Sequence, residues 1–228
     1  MVKNFLLAIA MLFAFTFTAT AKQITVGFIY VGPIGDHGWT YRHDIGRLDV
    51  EKHFGDKVKT MYLENVKYGP DAERAIRSMA QEADIIFATS FGYMEPMLKV
   101  AKEFPNVKFE HATGYKQSSN MASYGLRLYQ ARHVQGIIAG MMTKTNKICY
   151  VGAYPIPEVI REINTYYLGA KKMNPNVDID VVWVNSWYDP GKEADAAAVM
   201  IAEGCDMVAQ HTDSPAPLQT AQKNGVLG

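Results

Sequence analysis

Cysteine is scarce in this chain: Cys149 and Cys205 are the two in 228 residues. Two thiols do not make the disulfide framework of a small stapled domain, and neither has the neighbours of a metal-binding spacing. Cys149 lies in an apolar run and Cys205 just ahead of another, so both are expected as unpaired core residues. Charge of one sign is not in excess either, with 23 Lys and Arg against 23 Asp and Glu. That removes the electrostatic case for nucleic acid or an anionic membrane surface as a partner. Phosphate-binding motifs are missing: Gly32, Gly35 and Gly38 do not form G-x-G-x-x-G, and no Walker sequence occurs. Ser90 lacks the glycine pattern of a nucleophile elbow. His37, His43, His111 and His211 are scattered over four segments without short-range ligand spacing, so neither a metal nor a cofactor is expected. A small neutral ligand, bound and not turned over, fits these absences best.

Only one long apolar run exists, and it opens the chain. Lys3 precedes Phe5 to Phe17, and Ala19, Thr20 and Ala21 follow as a small-residue A-x-A site. The run is short for a bilayer span, and the pattern reads as an export signal over residues 1–21, cleaved after Ala21. The alternative is an uncleaved anchor. With no cysteine near the site, lipid attachment is not available there, and the mature protein is expected free in the periplasm.

Past the signal, short β-rich runs alternate with segments of helical period, the pattern of βα units and mostly parallel sheets. Strands are expected at Ile24–Tyr30, Lys57–Leu63, Asp84–Ala88 and Val107–His111, with helices at Trp39–Phe54, Pro70–Glu82 and Tyr93–Phe104. Val134, Ile137, Ile138, Met141 and Met142 give Ala131–Thr143 the look of a buried helix. A second series follows: strand Lys147–Ala153, helix Glu158–Met173, strand Val177–Val184, helix Lys192–Glu203, strand Asp206–Gln210 and helix Pro215–Lys223. The change of series near residues 144–147 divides the chain into an N-terminal α/β lobe, 22–145, and a C-terminal lobe, 146–228. Another strand is expected where the sequence reaches Asn224–Gly228, so the second lobe is expected to be incomplete.

In open parallel sheets, ligands sit outside the carboxyl ends of the strands. The loops expected there carry Gly32–Trp39, Ser90–Tyr93 and His111–Tyr115 in the first series, and Asn185–Pro190 and His211–Ser214 in the second. Aromatics with carboxylates and hydroxyls recur at one end of both sheets. A planar heterocycle held between Trp39 and Trp187, one from each lobe, follows from that recurrence. The alternative is that each tryptophan covers the end of its own sheet. Asp36 and Asp213 are candidates to accept ligand N–H groups, or else to cap the helices after them. Asp189, before Pro190, reads as a turn and cap residue.

Together, Ile24–Tyr30 with Gly35–Tyr41, Thr89–Tyr93, Lys108–Tyr115, Tyr154–Glu158 and Trp187–Ala194 resemble the basic-membrane-protein family of ABC-transporter substrate-binding proteins. The resemblance spans residues 23–224. It implies a type I periplasmic-binding-protein-like α/β fold, two lobes each with a mostly parallel sheet flanked by helices, closing on a ligand like a hinge. It further implies a non-catalytic receptor for a purine base or purine nucleoside, partnered by an ABC permease in the inner membrane. On that resemblance the ligand-binding set is Trp39, Asp36, Gly38, Phe91, Gly92, Tyr93, Tyr115, Trp187, Thr212 and Asp213. Trp39, Thr40 and Tyr41 stand where nucleoside-binding members carry Phe, Asn and Gln, which resembles the branch that binds a free base such as adenine. The family's late acidic and lysine ligand residues fall beyond Gly228. A ligand-binding sensor feeding a membrane signalling protein is the alternative, and an exported nucleoside hydrolase a weaker one, since no base or metal constellation supports it.

Overall fold

A computed structural model describes residues 22–228, and the expected export signal, residues 1–21, lies outside the described residues. The chain forms β1 (Ile24–Ile29), α1 (Trp39–Phe54), β2 (Val58–Leu63), α2 (Pro70–Met79), β3 (Ile85–Ala88), α3 (Met94–Glu103), β4 (Lys108–Ala112) and β5 (Met121–Tyr124). It continues as α4 (Leu128–Met142), β6 (Lys147–Gly152), α5 (Pro157–Met173), β7 (Asp178–Trp183), α6 (Pro190–Ala202), β8 (Met207–His211) and α7 (Ala216–Lys223). Two sheets result, ordered β2-β1-β3-β4-β5 and β7-β6-β8. Every pairing is parallel, with Val26 beside Ile85 in the first and Cys149 beside Val208 in the second. The α/β fold with parallel sheets flanked by helices is therefore as expected.

Strand side chains alternate between two covered faces. On β1, Val26 and Phe28 join Tyr30 in one cluster, while Ile29 faces the cluster formed with α2 and α3. On β6, Ile148 and Tyr150 pack with Val159, Tyr166 and Ala170 of α5, and Cys149 and Val151 pack with Ala197 and Met200 of α6. Helices begin where the sequence sets φ in advance, with Pro70, Pro157 and Pro190 in the first turn of α2, α5 and α6. Asp189 caps α6 by accepting the Lys192 N–H at 3.2 Å.

Two expectations need correction. α4 is not buried by its large residues: Val134, Ile138 and Met141 are 55%, 50% and 65% exposed, and the helix buries Gly136, Ala139 and Gly140 instead. The reason is how closely it lies on α5. A Cβ at Gly136 would stand 1.9 Å from the Tyr166 carbonyl oxygen, at Gly140 2.4 Å from that of Ala170, and at Gly169 2.2 Å from that of His133. The small-residue stripe lets backbones touch, so the bulky stripe turns outward. A Gly169→Val variant is expected to lose about 2 to 3 kcal/mol through overpacking against backbone that has nowhere to move. Its thermal melt by far-UV circular dichroism should fall by roughly 5 to 10 °C. An unchanged midpoint would mean that the helices can separate freely.

Cys149 and Cys205 are buried as expected, yet they are bonded: a disulfide joins them with a Cα–Cα distance of 5.9 Å. β6 and β8 are neighbours, and Gly204, at φ +99°, turns the chain out of α6 so that Cys205, two residues ahead of β8, reaches Cys149. Because α4 packs on α5, its mass lies with the second sheet, although the division expected from sequence falls after it, between residues 145 and 146.

Candidate functional site

The carboxyl ends of β1, β3 and β4 face those of β6, β7 and β8 across a narrow cleft with about 40 Å³ of free space. From the first sheet it is lined by Val31, Trp39, Ser90, Phe91 and Thr113, and from the second by Glu158, Trp187, His211 and Asp213. Trp187 also lines two adjoining grooves, one beside Tyr68 and Tyr154 and one beside Gly92 and Pro155. Its ring leans on Tyr154, with centroids 5.4 Å apart, and on His211 at 6.2 Å.

The first-sheet wall is held by hydrogen bonds behind the cleft. Asp36 is buried, and its carboxylate accepts the N–H groups of Gly38, Tyr41 and Thr40 at 2.7, 3.0 and 3.0 Å. It therefore caps the start of α1 and orients Trp39; of the two roles open to it, capping is the one built. The Trp39 indole N–H donates to the Thr89 carbonyl, which aims the ring along the cleft. Tyr68 Oη meets Ser90 Oγ at 2.5 Å, and His111 Nε2 meets the Ser90 carbonyl oxygen at 2.8 Å. The serine hydroxyl is thus paired with a phenol and not with a histidine, so no nucleophile and base are paired there. Thr113, a β-branched residue at φ +65°, sits strained on the cleft edge.

On the other side one buried carboxylate ties two loops. Glu193 accepts the Asp189 N–H at 2.8 Å and the Ser214 hydroxyl at 2.6 Å, fixing the Trp187 loop against the Asp213 loop. The Asp213 N–H donates to the Trp187 carbonyl at 2.8 Å, and Gln210 Nε2 donates to the carbonyls of Thr212 and Ser214.

The acids in the cleft are held towards their uncharged forms. Burial, then the negative charges of Asp36 and Glu193, raise the Asp213 carboxyl well above the usual carboxylate range, and its Oδ2 has no partner among the described residues. Burial also raises Glu158, to about 7, helped by the nearby Glu162 and opposed by Arg161 and by a hydrogen bond with Thr113. His211 is kept neutral, lowered to about 3 by burial and by the Arg132 guanidinium. A carboxyl that keeps its proton donates as well as accepts, so this cleft offers both kinds of hydrogen bond. Among the described residues no group of three or more His, Cys, Asp and Glu side chains is placed to hold a metal ion.

Of the residues named from sequence, Trp39, Phe91, Trp187 and Asp213 meet in the cleft. Gly38 stands against the Asp213 backbone, where a Cβ would be 2.3 Å from the Asp213 carbonyl oxygen, so its lack of a side chain lets the two walls approach. Gly92 lies beneath the Tyr68 ring for the same steric reason. Tyr93 is a core residue, its hydroxyl donating to the Val66 carbonyl at 2.6 Å. Tyr115 is 70% exposed and outside the cleft, and Thr212 receives Gln210 away from it. Glu158 escaped the sequence reading because the loop after β6 was not counted with the other strand-end loops, although Tyr154–Glu158 occupies the same topological position.

A family profile described as ABC transporter substrate-binding protein, PnrA-like, matches residues 23–227. The chain belongs to that family. A purine-binding protein of Brucella abortus is 53% identical over 206 residues, which are 90% of this chain and 59% of that protein. A Haloferax volcanii protein, named as a candidate ABC-transporter glucose-binding protein, is 44% identical over 90% of this chain and 52% of its own length. The chain thus spans a little over half of each relative. Among solved structures, an ABC-transporter solute-binding protein from Aeropyrum pernix superposes with a TM-score of 0.77 at 21% identity, over 89% of this chain and 59% of the other. At that identity the likeness concerns the fold, and it agrees with a periplasmic-binding-protein-like architecture.

Proposed function

We propose that this protein is the extracytoplasmic receptor of an ABC importer and that it carries a purine, a free base such as adenine ahead of a nucleoside. The observation that carries this reading is the meeting of Trp39, Phe91 and Trp187 in one narrow cleft with carboxyl groups shifted towards their uncharged forms. Aromatic walls suit the faces of a flat ring, and neutral donors and acceptors suit its edge. The purine-binding relative at 53% identity supports the same ligand class.

The two sheet units act as lobes, 22–145 and 146–228, with α4 packed on the second. Contacts across the cleft, Thr113 with Glu158 and Gly38 against Asp213, hold the closed form that a permease would recognise. The expected export signal at residues 1–21 supports delivery to the periplasm. A sensor feeding a membrane signalling protein would use the same cleft, and the glucose-named relative favours a sugar as the competing ligand.

A thermal-shift series on the full-length protein tests the reading, with adenine, hypoxanthine, adenosine, guanosine and glucose as probes. A ligand at about a hundred times its dissociation constant adds roughly 2.7 kcal/mol, several degrees in the melt. Purines are expected to raise the midpoint, adenine more than adenosine, and glucose to leave it unmoved. Stabilisation by glucose alone would overturn the purine assignment.

A further inference from the structure

Behind the cleft lies a buried polar cluster that the family resemblance did not point to. Glu162 of α5 is fully buried, and among the described residues neither of its carboxylate oxygens has a well-formed hydrogen bond. Arg132 Nε of α4 faces it at 3.5 Å, and His211 Nδ1 at the end of β8 faces the same oxygen at 3.4 Å. The Tyr150 hydroxyl, also buried and without a partner among the described residues, completes the cluster, with the Arg132 guanidinium 6.0 Å from its ring. His211 itself lines the cleft. Its buried nitrogen is Nδ1, on the Glu162 side, which leaves Nε2 as the nitrogen on the ligand side.

We propose that His211 selects the ligand by accepting one of its N–H groups at Nε2, and that Glu162 is the positioning residue that keeps the ring's own proton on Nδ1. A carboxylate only accepts, so a lone pair on Nδ1 facing Glu162 would leave two buried acceptors opposed. With the proton on Nδ1 that opposition becomes an attraction across the 3.4 Å to Glu162, and this attraction sets the tautomer. Burial raises the Glu162 carboxyl, and the Arg132 guanidinium works against that rise, favouring the ionised form that accepts. The cleft then holds one fixed acceptor, His211 Nε2, beside two carboxyl groups able to donate. That pattern suits the edge of a purine base, where N–H groups alternate with ring nitrogen acceptors, and here the proposal rests on the purine reading above.

Long-range ¹H–¹⁵N correlation spectra of the full-length, ligand-free protein read the tautomer directly, whether or not a purine binds. The Nδ1–H pattern for His211 is expected in the wild type and in Glu162→Gln, whose amide oxygen still accepts, and a mixed or Nε2–H pattern in Glu162→Leu. An Nε2–H or doubly protonated ring in the wild type would overturn the proposal. Binding then tests the acceptor. His211→Phe is expected to weaken adenine about tenfold, and His211→Gln, whose carbonyl oxygen reaches the Nε2 position, to restore most of it. Of 9-methyladenine and N6,N6-dimethyladenine, the one lacking the N–H that is read should bind wild type and His211→Phe alike. Equal adenine affinity in wild type and His211→Phe would also overturn it. If no purine binds the wild type, the functional reading falls and the tautomer alone decides this one.

Discussion

Replacing both Cys149 and Cys205 by alanine is expected to lower stability by about 4 kcal/mol, the chain-entropy contribution of a cross-link closing a loop of this size. The two residues are 56 positions apart, and their bond spans α5, β7 and α6 before returning to β8. Both sulfurs lie in the cluster with Val151, Val184, Ala197 and Met200, so alanine replacement also leaves two small side chains in an otherwise dense layer. The thermal midpoint should fall by roughly 8 to 16 °C. Wild type in strong reductant should melt with the variant. If the variant and wild type melt together under oxidising conditions, the bond does not form in solution. An oxidising compartment is where such a bond persists, which agrees with the proposed export of the chain.

The second large effect concerns the cleft. Trp39→Ala and Trp187→Ala are each expected to weaken purine binding by about 1 to 3 kcal/mol, the range for a base stacked on an aromatic ring. By titration calorimetry that is a loss of roughly five- to two-hundredfold per residue. Both rings would face the same ligand, so the double variant should depart from simple addition. Trp187→Ala also removes the wall shared with two adjoining grooves and the contacts to Tyr154 and His211, so it should be the more damaging of the two. Tyr115→Ala is the control: the residue is exposed and outside the cleft, and its loss should leave affinity unchanged. Undiminished binding in both tryptophan variants would remove the stacked-ring arrangement.

The cleft's geometry was legible in part because parallel strands put all their carboxyl-end loops on one side. Trp39, Phe91, Trp187 and Asp213 were found by that rule, and the same rule applied to the loop after β6 would have found Glu158. Asp36 shows the limit of residue type as a guide. A buried carboxylate before a helix can face a ligand or the helix's own N–H groups, and only the observed bonds to Gly38, Thr40 and Tyr41 separate the two. Tyr93 and Tyr115 stand on neighbouring strand-end loops and look alike in sequence, yet one is in the core and the other in solvent.

By itself, the sequence determined the alternation of strands and helices and the parallel sheets they build, and it named the strand-end loops that meet at the cleft. These rest on local periodicity and on the fixed topology of βα units, which need no knowledge of distant neighbours. The tertiary structure alone decided the outward turn of the α4 apolar stripe, the bond between Cys149 and Cys205, and the cluster of Arg132, Glu162 and His211 behind the cleft. Each depends on how closely two segments far apart in the chain approach. Backbone contact at glycines, the neighbouring of β6 and β8, and the desolvation that raises the Asp213 and Glu158 carboxyls are properties of packing, and packing is not written in the spacing of residues along one segment.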